Sequence, residues 1–139
     1  MSLFTDMTAT SAAALYIGLL IIVMLGLKMY VGNRRAKFKV ASGENHPEFS
    51  RATRVQLNAV EDVPVLMAGI LALAALNMPA WYIHMTGGVL VVARLLHGWG
   101  LSGSSGFSFG RVAGTAGTML VYIAVAGALL VHAFTPAHT

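Results

Sequence analysis

The sequence predicts an all-α integral membrane protein built as a bundle of four transmembrane helices, and three observations predict it. Of its 139 residues, 57% are apolar and only 10% are charged, whereas about a quarter are charged in a soluble domain. Mean hydropathy is +0.74. Four stretches with few or no charges, each long enough for a helix, take up most of the length and leave no room for a sizeable soluble domain. One membrane domain over 1–139 is expected, with helices over roughly 7–31, 47–77, 80–101 and 111–134.

The first stretch lies between Asp6 and Lys28. At 1.5 Å per residue its uncharged residues extend about 31 Å, close to the roughly 30 Å thickness of a bilayer core. The N-terminus before it lacks a basic n-region, and the stretch is too long for a signal-peptide core, so it is expected to be retained as helix 1. Val31 to Glu44 follows with two glycines, Asn33, Arg34, Arg35, Lys37 and Lys39, and reads as a basic polar connection.

Helix 2 is expected to start at Pro47, since proline suits a first turn, and to stop at Asn77 before Met78-Pro79. Twenty residues back from Asn77 the membrane edge falls near Asn58, so Arg51 and Arg54 stand outside it while Glu61 and Asp62 lie within. Pro64 should kink the helix. Helix 3 opens on Trp81-Tyr82, aromatics of the kind enriched at membrane interfaces, and carries Arg94 and His97 in its last turns. Ser102 to Gly110 reads as an uncharged loop. Helix 4 carries no formal charge after Arg111.

Orientation follows from the cations. Lys28, Arg34, Arg35, Lys37, Lys39, Arg51 and Arg54 all belong to the first connection, while the termini and the Asn77 to Ala80 turn have none. The basic side is expected to face the cytoplasm, with both termini on the other side. Topology thus accounts for most of the cations, and nucleic acid is not expected as a partner.

The chain has no cysteine, which removes disulfides, thiolate metal sites and a cysteine nucleophile together. No metal is expected. His84, His132 and His138 lie away from the basic side and read as packing or surface residues, and His46 as solvated. The eight methionines are scattered and read as core filling. Ala68, Ala72, Ala75, Gly87, Gly88, Gly110, Gly114 and Gly117 permit close helix approach.

What needs explaining is charge inside the membrane edge. Arg51, Arg54, Asn58 and Glu61 recur at i, i+3, i+7 and i+10, along one stripe of helix 2, and Arg94 and His97 share a face of helix 3. An arginine or carboxylate at such depth costs roughly 2.5 to 3.5 kcal/mol on insertion scales, so it normally faces the bundle and finds a partner. One reading is architectural: an ion pair of Glu61 with Arg94 or Arg54 that locks the helices. Yet Arg34, Arg35, Arg51, Arg54, Arg94 and Arg111 outnumber Glu61 and Asp62, and a small anionic ligand complements that surplus. A thiol peptide with several carboxylates and an amino group is one such anion among several, and arginine would favour its thiolate.

The strings RRAKF (Arg34 to Phe38), PEFSRATRVQLNAVEDVP (Pro47 to Pro64), ARLLHGWG (Ala93 to Gly100) and Arg111 resemble the MAPEG family. That family includes microsomal glutathione transferases, the membrane prostaglandin E synthase, the cysteinyl-leukotriene synthase and a lipoxygenase-activating protein. The resemblance runs in order from helix 1 to helix 4, and its most specific piece is PEF-x(4)-R-x(3)-N-x(2)-E. It implies a homotrimer in the membrane, an inner membrane if the source is bacterial, with glutathione as co-substrate between subunits near the cytoplasmic side. By position, Arg54, Asn58 and Glu61, with Arg51 beside them, resemble the glutathione-binding residues of helix 2. Arg34 or Arg35 resembles the basic residue that reaches glutathione across the interface, and Arg94 and His97 match R-x-x-H of helix 3. Arg111 falls where the family places the arginine that stabilises the thiolate, and His97 reads equally as an orienting residue or a thiol partner. Leu101 and Thr115 stand where several mammalian members carry tyrosines.

The function implied is a glutathione transferase or glutathione-dependent peroxidase acting on lipophilic electrophiles or lipid hydroperoxides from the bilayer. The alternative from the same resemblance is a non-catalytic lipid-binding or scaffold protein.

Overall fold

The computed structural model describes residues 6–41, 46–103 and 108–135, with side chains described up to Gly100 on the third helix. It contains four helices: α1 (Ala9–Phe38), α2 (Pro47–Ala75), α3 (Ala80–Gly103) and α4 (Phe109–Phe134).

Helix α1 opens on Thr8, whose side chain accepts from the Ser11 N–H, the usual service of an N-cap hydroxyl. It does not end near Val31 as the sequence predicts, but runs about two further turns through Arg34, Arg35 and Lys37 to Phe38. The reason is tertiary. Val31, Phe49 and Ala52 are buried together, with Tyr30, Phe38 and Val40 packed around them, and Arg34 donates to Glu48 at 3.0 Å. Burial of that small core offsets the roughly 1 kcal/mol that Gly32 costs inside a helix. Lys39 then takes a left-handed conformation, φ 52°, and stops it. His46 is not simply solvated: its ring stacks on Phe38 with centroids 3.7 Å apart.

Helix α2 has Pro47 in its first turn and carries Pro64 inside. It ends at Ala75, two residues before the predicted stop, because Asn77 adopts φ 56°, a left-handed turn that no α-helix continues. The loop expected over Ser102 to Gly110 is shortened from both sides. α3 continues to Gly103, and α4 starts at Phe109 because Ser108 accepts from the Arg111 N–H at 3.4 Å; residues 104–107 lie outside the described residues.

The helices run up, down, up, down. Tyr82 donates to the Ala124 carbonyl while His97 meets Thr115, so α3 and α4 are antiparallel. Asp62 meets Tyr122, and Gly69 lies against Val125, so α2 and α4 run the same way. α3 touches all three other helices, whereas α1 and α4 do not meet among the described residues. Leu20, Leu66, Ile70, Leu73, Ile83 and Leu90 form the centre of the core. α1, α2 and α4 are long and apolar enough to cross a membrane. α3 carries His84, Arg94 and His97 within its apolar sequence.

Two glycine contacts draw the basic ends of α3 and α4 together. A Cβ on Gly110 would lie 2.7 Å from the Leu96 carbonyl oxygen, and one on Gly114 would lie 2.6 Å from the Ala93 carbonyl oxygen and the His97 nitrogen. Backbone meets backbone there, and the polar side chains of α3 are thereby pressed onto α4. At the opposite end Tyr16 of α1 fills the space over Gly87, with its hydroxyl 3.1 Å from His84 Nδ1.

Candidate functional site

Three helices contribute to one buried polar cluster. Arg94, only 4% exposed, donates from Nη1 to Asp62 Oδ2 at 2.9 Å and to the Asn58 carbonyl at 3.3 Å. From Nη2 it donates to the Thr118 hydroxyl, which itself donates to the Gly114 carbonyl at 2.8 Å. The Tyr122 hydroxyl donates to the other carboxylate oxygen of Asp62 at 3.2 Å. The guanidinium is therefore neutralised inside the bundle and holds α2, α3 and α4 together, while its Nε is buried with no hydrogen-bond partner among the described residues.

This ion pair corrects the sequence expectation. The partner of Arg94 is Asp62, not Glu61, and Glu61 is exposed. At 100° per residue Asp62 stands almost above Asn58, one turn on, whereas Glu61 stands almost above Arg54, two turns on. The stripe drawn from Arg51 to Glu61 thus splits: Asn58 and Asp62 turn toward the cavity, and Arg54 and Glu61 face outward.

His97 is 7% exposed. Its Nε2 lies 3.2 Å from the Asn58 amide nitrogen and its Nδ1 lies 3.3 Å from Thr115 Oγ1. The two ring nitrogens thus link α3 to Asn58 of α2 on one side and to Thr115 of α4 on the other. Asn58, Asp62, Arg94, His97, Thr115, Thr118, Met119 and Tyr122 line a cavity of about 180 Å³.

The remaining candidates lie around this cluster. Arg34 is paired with Glu48. Arg35 is exposed, its guanidinium 5.9 Å from the Phe49 ring centre. Arg51 and Arg111 are half-buried and Arg54 is exposed. Among the described residues none of Arg35, Arg51, Arg54 and Arg111 has an ion-pair partner. Arg111 lies one turn before Thr115 on α4, which places both on one side of the helix. The structure thus brings together Asn58, Arg94 and His97, sets Arg111 beside them, and leaves Arg34, Arg35, Arg51, Arg54 and Glu61 outside the cavity. The side chain of Leu101 lies outside the described residues, and among them no group of three His, Asp or Glu side chains is placed to hold a metal ion.

Thr118 and Tyr122 were not singled out by the sequence reasoning, and Asp62 was counted there only as an acidic residue inside the membrane edge. A signal existed: Arg111, Thr115, Thr118 and Tyr122 recur at i, i+4, i+7 and i+11, a polar stripe on an otherwise apolar helix.

These features define a helical membrane protein with a cationic end and a polar network between its helices. The chain belongs to the MAPEG family, whose model matches residues 13–131. It is also 30% identical over 89 residues to the inner membrane protein YecN of Escherichia coli strain K12, a match covering 63% of this chain and 68% of that protein. The YecN of Escherichia coli O6:H1 matches to the same extent.

Proposed function

We propose that the protein is a glutathione transferase, with glutathione-dependent peroxidase chemistry open to the same site, acting on lipophilic electrophiles or hydroperoxides dissolved in the bilayer. The observation that carries this reading is the separation of two kinds of arginine. Arg94 is matched by Asp62 inside the bundle, while Arg51, Arg54 and Arg111 have no carboxylate partner among the described residues and stand at the same end. Glutathione supplies two carboxylates for arginines, an amino group for Glu61 and a thiol whose ionised form Arg111 would favour.

On this reading all four helices span the membrane with the cationic end toward the cytoplasm. Arg54 and Glu61 face outward at the membrane edge, where a lipid-exposed charge is costly. A homotrimer would cover them and form the glutathione site between neighbours. Catalysis is positioning plus electrostatics: glutathione is held, its thiolate is stabilised, and the apolar reactant arrives laterally, with no covalent enzyme intermediate.

Family membership also fits a non-catalytic lipid-binding protein, with the arginines meeting lipid phosphates. The detergent-purified protein separates the two. Saturable glutathione binding together with conjugation to an aryl halide supports the enzyme. Binding of anionic lipid with neither glutathione binding nor conjugation supports the alternative.

A further inference from the structure

We infer that the outer seam between α3 and α4 holds one alkyl chain of a membrane phospholipid, in the leaflet opposite the cationic end; this rests on the membrane-spanning part of the reading above and not on glutathione. The seam owes its shape to glycine. At the cationic end a Cβ on Gly114 would lie 2.6 Å from the Ala93 carbonyl oxygen, and one on Gly117 would lie 3.0 Å from the Ala93 Cβ, so the two helices touch almost backbone to backbone. Toward the other end a side chain makes the connection instead: Tyr82 reaches across to donate to the Ala124 carbonyl at 2.8 Å. The helices part there, and a groove of about 280 Å³ opens between them.

The groove is lined from α3 and α4 alone, and none of its lining residues lines the polar cavity. It therefore opens onto the outside of the bundle. Buried Thr86 and Val121 form its floor, and the exposed side chains of Trp81, Met85 and Leu120 stand as its walls. The two hydroxyls that border it are spent on backbone carbonyls, Tyr82 on Ala124 and Thr86 on Tyr82 at 2.8 Å. Neither is left to recognise a polar ligand, and the surface offered is almost wholly carbon.

Size and depth select the occupant. From Trp81 to Val89 the groove follows α3 for about 12 Å, within the roughly 15 Å that one leaflet contributes to the hydrocarbon core. Its mouth is at Trp81, an aromatic of the kind found at membrane interfaces. A chain whose headgroup sits beside that indole enters in the direction that bilayer chains already take. A neighbouring helix is about 10 Å across with its side chains; it would rest on the walls and leave the floor empty. An apolar void offers nothing to water and forfeits the dispersion contacts of its lining, and an alkyl chain one carbon wide restores them.

The test uses tryptophan fluorescence. The chain has two tryptophans, so Trp99→Phe leaves Trp81 as the reporter. The detergent-purified Trp99→Phe protein is titrated with a phosphatidylcholine brominated in mid-chain, which quenches an indole on contact. Trp81 emission is expected to fall saturably at a low mole fraction of lipid. In the same background Ala124→Leu, which fills the groove, and Leu120→Ala, which takes down a wall, are each expected to weaken that binding about fivefold through lost carbon contacts. Leu120 is exposed, so its truncation spares the fold. Quenching that rises linearly with lipid, alike in all three proteins, reports ordinary boundary lipid and overturns the inference. Absence of quenching overturns it too and gives the seam to a second copy of the chain. Because the chain has no cysteine, Met85→Cys in phospholipid vesicles offers a single thiol, expected not to react with a charged maleimide present on both sides. Rapid labelling puts the seam in water, and the spanning reading then fails together with the inference. An unlabelled Met85→Cys protein without saturable quenching removes only the inference.

Discussion

Asp62 on α2 and Arg94 on α3 meet at 2.9 Å, with the Arg94 side chain 3% exposed and that of Asp62 31%. Through Arg94 the pair reaches Thr118, and through Asp62 it reaches Tyr122, so one ion pair ties three helices. Removing one partner of such a pair strands the other charge, which typically costs about 3 kcal/mol or more. Asp62→Ala should therefore destabilise the protein by about that amount, read from denaturant unfolding in detergent. Arg94→Met added to Asp62→Ala should recover most of the loss, since no unpaired charge then remains.

The close approach of α3 and α4 makes a second prediction. A Cβ on Gly114 meets backbone atoms at 2.6 Å, and backbone cannot move aside as a side chain tip does. Gly114→Ala should cost about 1–3 kcal/mol through overpacking and should separate His97 from Thr115. Thermal unfolding checks the first effect. Loss of the His97–Thr115 contact is read from the imidazole proton resonance.

The C-terminal turns of α1 depend on Phe49. Phe49→Ala empties the centre of a small core, a change that costs about 3–5 kcal/mol when the site cannot collapse. Hydrogen exchange over residues 32–38 should rise sharply in this variant. Arg34→Ala, which breaks a partly exposed pair, should cost no more than about 1 kcal/mol and leave exchange in that segment nearly unchanged.

Arg54 and Arg111 should fail differently. Arg54 is exposed, so Arg54→Ala should alter stability by no more than about 0.5 kcal/mol while raising KM for glutathione. On the transferase reading, Arg111→Ala should lower kcat more than it raises KM, because its charge would act on the developing thiolate. Steady-state kinetics with varied glutathione distinguishes the two patterns.

The helical membrane class was legible in the sequence because it rests on composition and on the length of apolar runs, which packing does not alter. Pro47 and Trp81-Tyr82 likewise marked the starts of α2 and α3, since those signals are local. The end of α1 was not legible: Gly32 and Asn33 read as a connection, and only Phe49, packed against Val31, shows why the helix continues. At the site, the i, i+3 spacing of Arg94 and His97 showed that they share a face of α3, but that Asn58 meets both depends on how α2 packs on α3. The choice between Glu61 and Asp62 was not legible, because neighbouring carboxylates differ by 100° around the helix and a small helix rotation decides which faces Arg94. Thr118 and Tyr122 carried a readable periodicity on α4 but no charge to draw attention to it.

The central claim, that the arginines without a carboxylate partner among the described residues hold glutathione as its thiolate, is tested most directly by an ultraviolet difference spectrum of the detergent-purified protein with glutathione at neutral pH. The account predicts thiolate absorbance that saturates with glutathione and is largely lost in Arg111→Ala. A spectrum without thiolate, together with no measurable glutathione binding, would contradict it and assign the arginines to another anion or to the architecture of the bundle.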